Sequence, residues 1–269
     1  MNTGTDIYST GVAKFAPGIA CLLGAATIAG SFSFADEPAD SFDPPIKQTS
    51  VDLGPSPQYE DPKIRSVLTC YYYAHVMIKE YDEGGPSAGL SMLHIRGNLP
   101  ECRPERQRGE RIIDSSEWIG ILKGVKDTLV FFDPGEDFNG DSPFAVFDSV
   151  SGSKIFQDSA YGEYVSSQDY RTGRVRVITS QGGYVLKYLR VREAGCDLHL
   201  DGGACWGKVK GEFDLESDRM PVCTGYEHIS EIWGTDHVES WIAYPVEVDL
   251  LPRPTVKNVA GAVQCWPAQ

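Results

Sequence analysis

The strongest constraint on the fold is a succession of short β-type runs, each closed by turn residues, with little helical periodicity between them. From about Ile64 the chain reads as folded. Val67 to Lys79 is dense in Tyr and Val, which suit a pleated, half-buried surface better than a helix. Leu90 to Arg96, Glu117 to Leu122 and Thr128 to Phe132 follow, the last two separated by Lys123-Gly124-Val125-Lys126-Asp127. Pro143 to Asp148 and Lys154 to Asp158 flank Ser149-Val150-Ser151-Gly152, a hairpin signal. Arg174 to Thr179 puts Val175, Val177 and Thr179 on one face. It joins Tyr184 to Glu193 through Ser180-Gln181-Gly182-Gly183, where glycine reaches positive φ without steric cost. Trp241 to Leu250 is the last run. Helical spacing is confined to Ala204–Phe213, where Trp206, Val209, Lys210 and Phe213 recur, and to Tyr226–Trp233, stopped by Gly234. The expected fold is mainly β: an antiparallel sandwich or partly closed barrel with one or two short helices near the C-terminal third. "FAVFDSVSGSKIFQDS" is like one propeller hairpin, but no repeat of fixed period accompanies it.

The first residues read as an export signal. An apolar run from Phe15 to Gly30, broken only by Pro17, small residues and Thr27, precedes Ser31-Phe32-Ser33-Phe34-Ala35. Ser33 and Ala35 supply the small side chains that a signal peptidase accepts, which predicts a signal peptide over residues 1–35. The alternative is an uncleaved anchor, for which the run is borderline in length. A lipoprotein reading through Cys21 lacks the usual leucine three residues before it. Residues 36–62 hold Pro38, Pro44, Pro45, Pro55, Pro57 and Pro62. Proline fixes φ and lacks the amide donor, so this segment is expected to be an extended tether, neither helix nor inner strand. A single β-rich domain over 63–269 completes the predicted organisation. Nothing after the leader is apolar for long enough to span a bilayer, so no membrane insertion is expected once the signal is cleaved.

Six of the seven cysteines lie beyond the leader: Cys70, Cys102, Cys196, Cys205, Cys223 and Cys265. An even number in an exported chain predicts disulfides, and the absence of C-x-x-C spacing argues against a zinc ribbon or a thioredoxin-like site. Six cysteines allow fifteen pairings, among which sequence does not choose. Chain proximity favours Cys70 with Cys102, Cys196 with Cys205, and Cys223 with Cys265. Location is expected to be secreted or periplasmic. Asp and Glu number 38 against 24 Lys and Arg, a net charge of −14. Phosphate backbones and anionic membrane surfaces are repelled by such a surface, so nucleic acid is not an expected partner. The acidity favours solubility.

Several phrases in this order, "CYYYAHVMIKE", "WIGILKGVKDTLVFFD", "FNGDSPFAVFDSVSGSKIFQDS", "YLRVREAGCDLHLDGGACWGKV", "WIAYPVEVDL" and "VQCWP", resemble a group of exported bacterial proteins of no assigned activity. The resemblance runs from Cys70 to Pro267. It implies a secreted or periplasmic location and a single domain, and it carries over no catalytic residue.

Candidate chemistry is sparse. In "EGGPSAGLSM" (residues 83–92), Gly85-Pro86-Ser87-Ala88-Gly89 fits the G-x-S-x-G pattern of a nucleophile elbow. The string also resembles the motif around the serine of Lon-type Ser-Lys proteases, with Lys123 in "IGILKG" as the matching base. Both patterns need a helix directly after the serine, and Gly97, Pro100, Cys102 and Pro104 leave no room for one. The context therefore favours a Gly/Pro-rich turn between strands. In "DPGEDFNGDSPFAVFD", Asp137, Asn139, Asp141 and Asp148 occupy positions of an EF-type calcium loop. Ser142 stands where that loop needs glycine, and Asp148 is shorter than the usual Glu. An acidic turn of self-bonding Asx side chains competes with calcium there. His75, His94, His199, His228 and His237 are scattered, and His228, Glu231 and His237 match no metal motif.

The function expected from these observations is that of an exported, disulfide-containing β-domain that binds a protein, glycan or small ligand at the envelope, or serves there structurally, without a cofactor. The alternatives are a secreted hydrolase using Ser87 and Lys123, and a calcium-binding domain.

Overall fold

Apolar side chains alternating at period two build two antiparallel sheets. The computed structural model describes residues 42–84, 89–113, 121–133, 141–161, 175–227, 231, 234 and 237–268. The first sheet is a meander of five strands in chain order: β1 (Lys47–Pro55), β2 (Arg65–Tyr72), β3 (Val76–Asp82), β4 (Gly89–His94) and β5 (Arg111–Ile113). The second begins with β6 (Ile121–Lys126), β7 (Leu129–Asp133), β8 (Asp141–Asp148) and β9 (Ser153–Tyr161), side by side. It continues through β11 (Gly183–Glu193), β12 (Ser240–Asp249) and β13 (Thr255–Asn258), while β10 (Arg176–Ser180) pairs with β11 and β14 (Gln264–Pro267) with β12. The architecture is mainly β and antiparallel, and the sheets do not close into a barrel. The expected sandwich is the form that fits. Among the described residues no helix is long and apolar enough to cross a membrane.

Alternation decides which faces meet. Tyr71, Ile78, Leu90 and Met92 of the first sheet pack on Val125, Val130, Phe132, Ala145 and Phe147 of β6–β8. The opposite face of β7 and β8, through Leu129, Phe131, Phe144 and Val146, joins the main core with Leu186, Tyr188, Ile242 and Tyr244. β7 is thus covered on both sides, and its unbroken Leu-Val-Phe-Phe run follows from that. The outer face of the first sheet, carrying Leu68, Cys70, Tyr72, Met77 and Leu93, is covered by residues 95–110. That covering segment is fastened by the Cys70–Cys102 disulfide and by the Tyr81 hydroxyl donating to the Pro104 carbonyl at 2.8 Å. Disulfides also join Cys196 to Cys205 and Cys223 to Cys265, the pairings that chain proximity favours.

Three expectations are corrected. Val67 to Lys79 is a hairpin rather than one strand: Tyr72 pairs with Met77, and the Tyr73 amide donates to Val76 across Ala74-His75. Lys123–Lys126 belongs to β6, and the turn falls at Asp127-Thr128, where Asp127 takes φ 54°. The extended tether expected over 36–62 does not hold for its described part. Phe42 packs its ring 5.1 Å from that of Phe131, and Lys47–Pro55 pairs with β2 as an edge strand. Pro55 ends that strand, and the amides from Lys47 to Gly54 remain free to pair, so the prolines confine the segment to an edge without excluding it from the sheet. The helix α1 spans Gly202–Phe213 and closes on Asp214 at φ 52°. The second expected helix, Tyr226–Trp233, falls mostly outside the described residues.

Gly124 lies beside the β6 bulge, and a Cβ there would come within 2.3 Å of the Phe42 ring. Close approach is the reason for glycine. Gly124→Val is expected to cost about 1–3 kcal/mol in urea unfolding. Phe42→Ala should then cost less in that background than alone, because the clash disappears with the ring.

Candidate functional site

The side chains that could act chemically gather where β9, β11 and β12 lie together. Tyr188, Arg190 and Arg192 alternate along β11 and so share the face that carries Leu186 into the core. Arg190 is opposite Ala160 of β9 and Tyr244 of β12. The carboxylate of Asp158, two residues before Ala160, accepts from all three β11 side chains. Arg192 donates from a terminal nitrogen at 2.7 Å, Arg190 from Nε at 3.2 Å, and Tyr188 from its hydroxyl. The Asp158 side chain is 1% exposed, whereas Arg190 and Arg192 remain 23% and 30% exposed. One carboxylate against two guanidinium groups leaves the cluster with an excess positive charge. Burial, reinforced by Asp158, holds the Tyr188 phenol far above its ordinary range, so it stays a donor. Burial also raises Tyr244, with Arg190 and Arg192 pulling the other way.

The two arginines open onto a cleft of about 400 Å³ between β11–β13 and the end of α1. Local sequence explains how the helix comes to stand there. Trp206 and Val209 are its buried positions, and Cys205 ties it to Cys196. Its last carbonyls would be unmet at the C-terminus. Asn258 of β13 donates its side-chain amide to the carbonyls of Phe213 and Asp214 at 2.7 and 3.0 Å. The cleft is therefore lined by Arg190 and Arg192 on β11, by Lys257 on β13, by the rings of Phe213 and Tyr244 with centroids 6.0 Å apart, and by a helix-end wall bearing Glu212, Asp214 and Glu216. Its exposed guanidinium edges can hold an anionic group by charge-assisted hydrogen bonds.

A second cleft of about 260 Å³, lined by Tyr81, Ser91, Arg106 and Glu110, adjoins a buried ion pair. Lys79 Nζ donates to both Glu110 oxygens at 3.0 and 3.2 Å and to the Glu105 carbonyl at 3.3 Å. Ser91 Oγ and the Gln107 amide complete Glu110 at 2.6 and 2.7 Å. Burial raises the Glu110 pKa, but the bonds from Ser91, Gln107 and Lys79 outweigh it, and the carboxyl titrates below its ordinary value. A carboxylate held ionised in this way is a poor base for Ser91. The cluster works as a clasp, fixing the 95–110 segment to β3.

Ser87 lies outside the described residues. The chain enters β4 at Gly89, and this strand pairs with β3 directly, Tyr81 opposite Gly89. The helix that an elbow or a Lon-type site requires after its serine is replaced by a strand. Lys123 is buried in β6 at the bulge between Leu122 and Gly124. Asp137 and Asn139 also lie outside the described residues, and Asp141 opens β8. Asp148 accepts from the Val150 and Ser151 amides, both at 3.1 Å, as an Asx turn that closes the β8–β9 hairpin. Among the described residues, no group of three or more His, Cys, Asp or Glu side chains could hold a metal ion. His75 pairs loosely with Asp127 at 3.7 Å, His199 stacks on Tyr226, and His237 lies 3.8 Å from Asp197. His228 lies outside the described residues.

Sequence reasoning located β11 but not the arginine cluster. Its signal was present in "LKYLRVRE", where arginines continue the inward alternation of Leu186 and Tyr188. In comparisons with known proteins, no family model, curated protein or solved structure matches the chain.

Proposed function

We propose that the chain is an exported binding domain of the cell envelope that holds a small anionic ligand in the cleft between α1 and β11–β13. It acts by binding rather than by catalysis. The observation that carries this reading is the pair of guanidinium groups, set on one buried carboxylate, that keep part of their surface open to the cleft. Asp158 fixes their positions before a ligand arrives, which lowers the entropy cost of binding. Three disulfides, with the leader expected from sequence over residues 1–35, support an oxidising, extracytoplasmic setting.

Isothermal titration with n-butyrate tests the reading. Saturable binding is expected, weakened about tenfold in Arg192→Gln. Asp158 retains Arg190 and Tyr188 in that variant, so the fold is kept. Equal affinity in the two proteins would remove the cleft from consideration.

A further inference from the structure

We infer that the ligand of this cleft is zwitterionic: a small amine–carboxylate whose anionic end meets Arg190 and Arg192 and whose ammonium meets the acids at the end of α1. The inference rests on the binding reading above and names its ligand class.

The two walls of the cleft carry opposite charge and do not neutralise each other. Among the described residues, Glu212, Asp214 and Glu216 make no side-chain ion pair or hydrogen bond, with the arginines or with any other cation. The cations nearby are engaged elsewhere: Lys257 with Asp249 at 2.5 Å and Lys210 with Asp218 at 3.0 Å. The acids stand at the C-terminal end of a helix of twelve residues, where the aligned peptide dipoles already present negative charge and a cation is the favoured neighbour. Lys210 in the last turn and Lys257 in the cleft lining are both taken up by other carboxylates, so the three acids are left without a bonded ammonium, and the two arginines have donors to spare.

Each half of such a ligand alone fits poorly. A simple carboxylate reaching the arginines passes three carboxylates on a chain of net charge −14. A simple amine meets the excess positive charge of the arginine cluster. A molecule carrying both groups satisfies both walls and is neutral overall, so the field of the protein does not oppose its approach. Phe213 and Tyr244, which line the same cleft, offer ring surface to the methylene spacer that separates the groups.

The experiment is calorimetric titration of the purified protein with glycine, γ-aminobutyrate and 6-aminohexanoate, set beside n-butyrate and n-butylammonium. At least one amino acid of the series is expected to bind about tenfold more tightly than either single-charge probe. Glu212→Gln/Glu216→Gln changes surface residues that the fold does not use. It should weaken the amino acid by about threefold to tenfold and leave n-butyrate unchanged or tighter, a crossover that general loss of structure does not produce. If n-butyrate binds as tightly as every amino acid and the glutamines change neither, the zwitterion inference is wrong and the anion-binding cleft stands. If no probe binds, both readings fall.

Discussion

Glu110→Ala is expected to lose about 3–5 kcal/mol of stability, because it leaves the ammonium of Lys79 buried without its counter-charge. The Lys79 side chain is 1% exposed, so its ammonium stays out of bulk water when the carboxylate is removed. Ser91 and the Gln107 amide lose their acceptor in the same step. Lys79→Met/Glu110→Leu is expected to recover much of that loss, since an apolar pair of similar volume carries no desolvation penalty. Urea unfolding of the two variants beside the unaltered protein measures this directly; equal loss in the single and double variants would mean that the stranded ammonium of Lys79 is not the source of the cost. The pH dependence has a definite sign. The folded-state pKa of Glu110 is lowered, so its contribution is complete above the unfolded value of about 4.3 and is lost as pH falls through the folded value. Acid unfolding of Lys79→Met/Glu110→Leu should therefore be less steep than that of the unaltered protein below about pH 4.

The second large effect belongs to Asp158. Asp158→Ala leaves two guanidinium groups facing each other and the Tyr188 hydroxyl without an acceptor, and it is expected to cost about 3–5 kcal/mol. Arg192→Gln should cost markedly less, because Asp158 still has Arg190 and Tyr188. This ordering, carboxylate far above either arginine, is what distinguishes a buried anchor with two exposed partners from three equal members of a surface network. Guanidinium chloride is unsuitable for the measurement, since it screens and competes with the arginines; urea serves. Similar losses for Asp158→Ala and Arg192→Gln would contradict the proposed division of roles.

What could be read from sequence was whatever lies close along the chain. The hairpin at Ser149–Gly152 and the one joining β10 to β11 are marked by glycine and were legible. The hairpin at Ala74-His75 carries no Gly, Pro, Asn or Asp, so β2 and β3 read as one strand. Gly124 suggested a turn, yet it marks the place where Phe42 approaches β6. β1 escaped notice because an edge strand can draw its stability from pairing with β2 rather than from an apolar face, and "KQTSVDLGP" has almost none. The disulfides joined cysteines that are neighbours in the chain order. The two ionic clusters were illegible for the converse reason. Lys79 and Arg190 stand in strands that look ordinary, and their partners, Glu110 and Asp158, are 31 and 32 residues away. The "GPSAG" letters, which matched an enzyme motif, lead into strand β4.

The central claim, that the arginine pair of β11 is the ligand contact, is tested most directly by following arginine side-chain Nε–H resonances by NMR. The titrant is n-butyrate, then γ-aminobutyrate, at constant ionic strength. The account predicts saturable shifts for Arg190 and Arg192 while Arg65, bound to Asp52 at 2.8 Å on the first sheet, stays in place. Arg190 and Arg192 signals that do not move, or that move no more than that of Arg65, would contradict it.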